Sequence, residues 1–201
     1  MNKLNLKHRY FTVRHGQSKN NVSRTAVGDT INGIKSEYGL TEIGHKQAQL
    51  SGQLFALQNP KAKVVIYSSP FARTLETAQE INKNLPFPTE NIIVDERLKE
   101  TAFGTLELQP TDITSPKQDQ VFAREVDNIW NIETPDLILK RLVSLINEIE
   151  ASDLPSDTLV FLVTHGGCVE ILNGYFINLP DIFLFQIHTA DARNAEIRGL
   201  N

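Results

Sequence analysis

Four short stretches of this chain carry residues that could do chemistry. They are Arg14-His15-Gly16, Ser68-Ser69-Pro70 with Arg73, Leu98-Lys99-Glu100, and Thr164-His165-Gly166-Gly167. Each follows a short apolar run. Two histidines, two arginines and a glutamate therefore recur at the same kind of position. That set suffices for phosphoryl transfer. A guanidinium offers a planar fork of donors that matches phosphate oxygens and stays charged. A neutral imidazole can attack phosphorus. A carboxylic acid can protonate the departing oxygen, and its carboxylate can then activate water. Arginines and a second histidine would supply the charge neutralisation that Mg²⁺ supplies elsewhere.

Each residue also has a plainer reading. A lone histidine after a strand is more often structural than catalytic; it is the complete set that points to a site. Arg73 falls in the first turn of an expected helix, where the macrodipole disfavours a cation, so a bound anion would explain its placement. Glu96 and Glu107 rival Glu100 as the acid, and Glu107 could instead buttress the site. His8, His45 and His188 read as surface or packing residues. Cys168 reads as a small buried apolar residue. Its place at a helix N-terminus allows a second reading, a lowered pKa and oxidant-sensitive activity.

The elements that must position these residues follow from hydrophobic patterning. Tyr10–Val13, Val64–Tyr67, Ile92–Val94, Leu159–Val163 and Ile182–Ile187 lack polar alternation and read as strands buried on both faces. Between them lie helical patterns. Ile43, Gln47, Leu50, Leu54 and Leu57 share one face, expected to be buried. Ser69 is expected to cap a helix starting at Pro70, with Leu75, Ala78 and Ile81 on its buried stripe. Thr134-Pro135 opens another, with Ile138, Leu142, Leu145 and Ile149 inward. A last helix is expected from Cys168 to about Asn178. The pattern predicts a three-layer α/β/α sandwich with a mainly parallel central sheet, whose active site gathers at the carboxyl ends of the strands. One domain over 1–201 is expected. Residues 105–134 break the rhythm and read as a substrate-covering insertion, helical near Val121–Trp130, with Trp130 and the Val121–Phe122 pair as packing residues. The Asn21–Gly39 segment reads as a second rim loop.

The motifs resemble those of the histidine phosphatase superfamily, the phosphoglycerate mutase-like family. Arg14-His15-Gly16-Gln17-Ser18 with Asn21 is similar to its opening signature, and Leu40-Thr41-Glu42-Ile43-Gly44 with Gln47-Ala48 to its next motif. Ser68-Ser69-Pro70 with Arg73, Thr77 and Ala78 resembles the third. Leu98, Glu100, Phe103-Gly104 and Glu107 resemble the acid-bearing segment. Thr164-His165-Gly166-Gly167 resembles the second-histidine motif, and Arg193-Asn194-Ala195-Glu196-Ile197 the closing strand. The resemblance implies that His15 is the nucleophile that becomes phosphorylated and that Arg14, Arg73 and His165 surround the phosphoryl group. It implies Glu100 as the proton donor and Asn21 as a contact to a phosphate oxygen or nearby substrate group. No metal and no organic cofactor is implied. The chain departs from the family at Asn20, where many members have tryptophan, at Gly104-Thr105-Leu106-Glu107-Leu108, and at Ile132-Glu133-Thr134 in place of Gly-Glu-Ser. These departures lie on the substrate rim rather than on the phosphate pocket.

Composition sets the outer limits. The chain has 201 residues, a formal net charge of -4, 40% hydrophobic and 22% charged residues, and one cysteine. This is an ordinary globular composition, and the charge disfavours nucleic acid as a partner. The lone cysteine permits no internal disulfide and fits a reducing compartment. Met1–His8 has no apolar run behind its charges, and no stretch approaches a membrane span, so a cytoplasmic location is expected. The expected activity is a metal-independent phosphatase acting on a small phosphorylated metabolite or a phosphoprotein, as monomer or homodimer. A phosphoglycerate-type mutase is the first alternative, disfavoured by chain length and the missing tryptophan. A non-catalytic phosphate-binding module is the second.

Overall fold

The computed structural model describes residues 6–177 and 193–200. Four of the apolar runs form strands: β1 (Arg9–Arg14), β2 (Lys63–Ser68), β3 (Ile93–Val94) and β4 (Thr158–Thr164). A fifth, β5 (Ile197–Gly199), follows the turn at 193–196. Among the described residues the sheet order is β3-β2-β4-β1-β5. β1, β2, β3 and β4 are parallel, and β5 is antiparallel to β1. The run Ile182–Ile187, His188 and the expected helix end at Asn178 lie outside the described residues.

Helices cover both faces, as the three-layer expectation requires. Side chains alternate across β4, so Val160 and Leu162 face one layer and Leu159, Phe161 and Val163 the other. The first layer is made by α6 (Pro135–Ala151) and α7 (Gly166–Phe176). Pro135 opens α6 at its first turn, and Ile138, Leu142, Leu145 and Ile149 are buried as expected. The second layer is made by α3 (Glu42–Gln58) and α4 (Ala72–Lys83). All seven residues of β4 are buried, which explains its unbroken apolar sequence. β3 differs from expectation: it is an edge strand, and both Ile93 and Val94 are exposed.

The face of α3 is also corrected. Ile43, Leu50, Leu54 and Leu57 are exposed, and Gly44, Ala48, Gly52 and Phe55 are buried. The contact is built from small residues because α3 lies too close to its neighbours for bulky ones. A Cβ on Gly52 would stand 2.8 Å from the Ile81 carbonyl oxygen of α4. Two further helices differ in position. α4 begins at Ala72 with Phe71 as N-cap, not at Pro70 under Ser69. In the 105–134 stretch the helix is α5 (Thr111–Phe122), and residues 123–134 are largely non-helical. Pro110 stands at the N-cap, and Pro116 removes only one backbone bond, so neither proline prevents the helix. Val121 and Phe122 pack with Leu106, Ile132 and Trp130 in a small separate cluster. The Asn21–Gly39 rim is partly helical, with α1 (Lys19–Ser23) and α2 (Thr30–Gly33). No helix among the described residues is long and apolar enough to cross a membrane.

In an exposed helix Gly→Ala stabilises by about 1 kcal/mol. Gly52→Ala should reverse that sign and destabilise by about 1–3 kcal/mol, because the new methyl meets backbone. Leu54→Gln, on the exposed face, should change stability by less than about 0.5 kcal/mol. Urea denaturation midpoints of the two variants test the assignment of faces; a gain for Gly52→Ala would show that the α3–α4 contact is looser than this.

Candidate active site

Strand register assembles the site. Arg14 pairs with Thr164, and Ser68 with Val163 and Val94, so β1, β2, β3 and β4 end level. His15, Ser69 and His165 are the residues that leave those ends. The His15 N–H donates to the Thr164 carbonyl at 3.0 Å, and the Ser69 N–H to the Val163 carbonyl at 3.0 Å. Arg73 follows on the first turn of α4, as expected, and His165 is the N-cap of α7.

The His15 ring is held in one orientation. Its Nδ1 lies 2.7 Å from the Gly16 carbonyl oxygen, which can only accept, so Nδ1 carries the proton. Nε2 then has the lone pair and accepts from Arg73 Nε at 3.2 Å. Arg73 Nη2 donates to the Val27 carbonyl at 2.9 Å, and its guanidinium lies 4.8 Å from the centre of the Phe71 ring. Arg73 Nη1 is buried with no hydrogen-bond partner in the protein. Such an orphaned charged donor is costly, and an anion oxygen is the partner that fits it. Burial pushes the Arg73 guanidinium down to about 10, with Glu100 and Glu107 opposing the shift, so it stays charged at neutral pH.

His165 is wholly buried. Its ring centre is 5.3 Å from that of His15, and its Nε2 lies 3.0 Å from Ser69 Oγ. Its Nδ1 has no hydrogen-bond partner in the protein and lies 3.7 Å from Glu100 Oε2. Burial first, then the Arg73 charge, holds both histidines well below the ordinary imidazole range; Arg14 adds to this at each. Both are therefore neutral at pH 7. Glu100 Oε1 accepts from the Thr101 N–H at 3.0 Å.

A cavity of about 410 Å³ opens over these groups, within the range of small-molecule sites. Arg14, His15, Arg73 and Glu100 are on its wall, and so is Asn21. His165 is not, and sits behind the others. Asn21 is exposed, and its Oδ1 accepts from the Ser18 N–H and hydroxyl at 3.1 and 2.8 Å, leaving its amide nitrogen for a ligand. The rival acids are placed elsewhere. Glu96 is exposed and accepts from Thr30 Oγ1 at 2.9 Å. Glu107 accepts from the Gly28 N–H at 3.0 and 3.2 Å, next to the Val27 carbonyl that holds Arg73. It is a buttress, and burial raises its pKa.

Several supports were not legible from single residues. Ser69 orients His165 rather than starting α4. Thr77 Oγ1 accepts from the Gly16 N–H at 3.0 Å, and Asn194 Nδ2 donates to the His15 carbonyl at 3.0 Å. Arg141 on α6 pairs with Glu133 through two bonds of 2.7 and 3.0 Å and donates to the Arg97 and Glu100 carbonyls. Glu133 also accepts from the Ala102 N–H at 3.3 Å. The loop that carries Glu100 is thus gripped at 97, 100 and 102. The signal was a charged residue beside the buried stripe of α6. Cys168 is buried, its Sγ lies 3.2 Å from the Lys99 carbonyl oxygen, and burial pushes its thiol up to about 11 despite Arg141. The packing reading holds, and the thiol's pKa is raised rather than lowered, because burial outweighs the Arg141 charge. His8 is buried, and His45 stands part-exposed beside Glu76 and Glu80.

The family model described as histidine phosphatase superfamily (branch 1) matches residues 10–200. The chain belongs to the histidine phosphatase superfamily. A relative named probable phosphoglycerate mutase GpmB, from Yersinia pestis (strain Pestoides F), is 29% identical over 175 residues, 85% of this chain and 75% of the relative. Among solved structures, mycobacterial glucosyl-3-phosphoglycerate phosphatase complexed with VO3 superposes with a TM-score of 0.74 at 24% identity, covering 96% of this chain and 92% of that one. Phosphoserine phosphatase of Entamoeba histolytica, in complex with 3-phosphoglyceric acid, gives 0.69 at 20% identity, covering 96% and 89%. This histidine phosphatase superfamily chain therefore has the phosphoglycerate mutase-like fold.

The histidines make stability depend on pH in a defined direction. Below pH ~6.5 an unfolded histidine binds a proton that the folded one, with its pKa depressed, does not. The unfolded state then holds more protons, so stability falls as pH falls, by up to ~1.4 kcal/mol per pH unit for each histidine. Between pH 6.5 and 5, above most carboxylate titration, His165→Asn should flatten the stability–pH curve of the wild type. An unchanged slope would mean that His165 is not held neutral by burial.

Proposed function

We propose that this chain is a metal-independent phosphatase that hydrolyses phosphomonoesters through a phosphohistidine at His15. The observation that carries the reading is the pinned His15 ring, with its Nε2 lone pair beside the charged and partly unpartnered Arg73 guanidinium at the wall of a cavity. The family and its phosphatase-named structural neighbours support it.

In this mechanism the substrate phosphoryl group binds to Arg14 and Arg73, with the Asn21 amide at its edge. Binding draws the Arg73 guanidinium onto phosphate oxygens and frees the His15 lone pair. Nε2 attacks phosphorus in line; the N–P bond forms as the P–O ester bond breaks. Glu100 gives its proton to the departing alkoxide, which leaves as the alcohol. Positive charge passes to the His15 ring, where the Gly16 carbonyl stabilises the Nδ1 proton. His165 donates toward the equatorial oxygens of the transition state after a small movement of its ring. Water then attacks phosphorus and gives a proton to the Glu100 carboxylate, the N–P bond breaks, and phosphate departs. The charge required at phosphorus comes from arginine throughout. A cytoplasmic setting fits the single buried thiol.

The name of the curated relatives favours a second reading, a mutase that returns the phosphoryl group to the substrate. It would use the same residues. A requirement for 2,3-bisphosphoglycerate in interconverting phosphoglycerates would establish it.

Wild type should release phosphate from p-nitrophenyl phosphate in excess EDTA, and His15→Ala should not, while keeping its fold by circular dichroism. Loss of wild-type activity in EDTA would contradict metal independence. Glu100→Gln should slow alkyl esters at least tenfold more than aryl esters, whose leaving groups need less protonation. Equal slowing would place the acid elsewhere.

A further inference from the structure

One wall of the cavity has an unexpected charge. Thr111, Ser115, Gln118, Asp119 and Phe122 all line it, and their spacing is that of a single face of α5. Glu170, one turn into α7 from Gly166, lines it too. Among the described residues on the wall the cations are Arg14 and Arg73 alone, and both lie at the His15 end. The nearest basic residue on α5, Lys117, has its ammonium 5.3 Å from the centre of the Trp130 ring and is not on the wall. The sequence from 178 to 192 contains neither lysine nor arginine.

We propose that this cavity selects phosphomonoesters whose alcohol portion is rich in hydrogen-bond donors, hydroxyl or ammonium, and carries no second anionic group. The inference rests on the phosphatase reading and names its substrate class. The anchor is Arg73, almost wholly buried, whose Nη1 has no protein partner and whose side chain lines the cavity. Two guanidinium groups match the double charge of one phosphoryl group, and the described residues on the wall offer no further cation for another anion. The α5 wall then meets the alcohol with a carboxylate, an amide and two hydroxyl groups. A carboxylate on the substrate would face Asp119. Like charges so placed repel, and the carboxylate would also lose water without gaining a donor. Hydroxyl or ammonium groups would instead donate to the Asp119 carboxylate.

Glycerol 3-phosphate and 3-phosphoglycerate test this, because they differ in a hydroxymethyl group against a carboxylate on the same skeleton. Wild type should show at least tenfold higher kcat/KM for glycerol 3-phosphate. Asp119→Lys should shrink or reverse that ratio, and the milder Asp119→Asn should move it the same way if the lysine variant does not fold. Equal or better use of 3-phosphoglycerate by wild type, or a ratio that neither folded variant changes, overturns the proposal. If neither ester nor p-nitrophenyl phosphate turns over, it is the phosphatase reading that fails. The subsite is then read from the rise in Tm that each of the two esters produces in wild type: a larger rise with glycerol 3-phosphate supports it, and a larger or equal rise with 3-phosphoglycerate overturns it.

Discussion

The contact between Arg73 and His15 constrains much of the surrounding structure. A guanidinium buried this deeply is costly unless its donors are met and its charge is balanced. Here the Val27 carbonyl takes one donor, His15 another, the Phe71 ring lies against the guanidinium, and the carboxylates of Glu100 and Glu107 supply opposing field. The same charge acts on the imidazoles. It helps keep His15 and His165 neutral, the state in which a ring nitrogen has a lone pair to use. Burial and this one cation together keep His15 neutral, and the cation presents an unpartnered donor that fits an anion.

The supports of that contact come from every part of the chain. Parallel strands ending level bring the turns after β1, β2 and β4 to one edge. The first turn of α4 delivers Arg73, and Glu107 holds the Gly28 backbone so that the Val27 carbonyl faces it. The Glu133–Arg141 pair restrains the loop that carries Glu100. The wall formed by α5 belongs to a different layer of the design: it packs through its own small cluster and contributes polar side chains beyond the phosphate end. The strand-end groups and the α5 wall of the cavity are therefore built by separable parts of the chain.

Much of the cavity's arrangement could be read from sequence because its polar side chains sit at or just beyond the ends of apolar runs, where a parallel sheet places them together. His15, Arg73, Glu100 and His165 were legible on that ground, and α6 was legible from its periodic stripe. What escaped has physical reasons. The buried face of α3 is made of Gly44, Ala48 and Gly52, and a count of bulky apolar residues points to the opposite side. Proline marks a helix start as often as an end, so α5 was placed too late. Cys168 at a helix start left a lowered pKa open as a second reading, and only the fold shows that burial outweighs the nearby Arg141 charge. Backbone partners such as the Val27 carbonyl leave no mark on side-chain pattern at all.

The central claim is that His15 Nε2 takes the phosphoryl group, and its most direct test is to trap the adduct. Wild type mixed with an aryl phosphate and quenched in alkali within a single turnover should carry the mass of one phosphoryl group. Peptide mapping should place it on His15, and the adduct should be labile to acid and stable to base, as a phosphoramidate is. His15→Ala should show no such adduct. A turnover-competent enzyme that never carries the adduct, or carries it on another residue, would contradict the account.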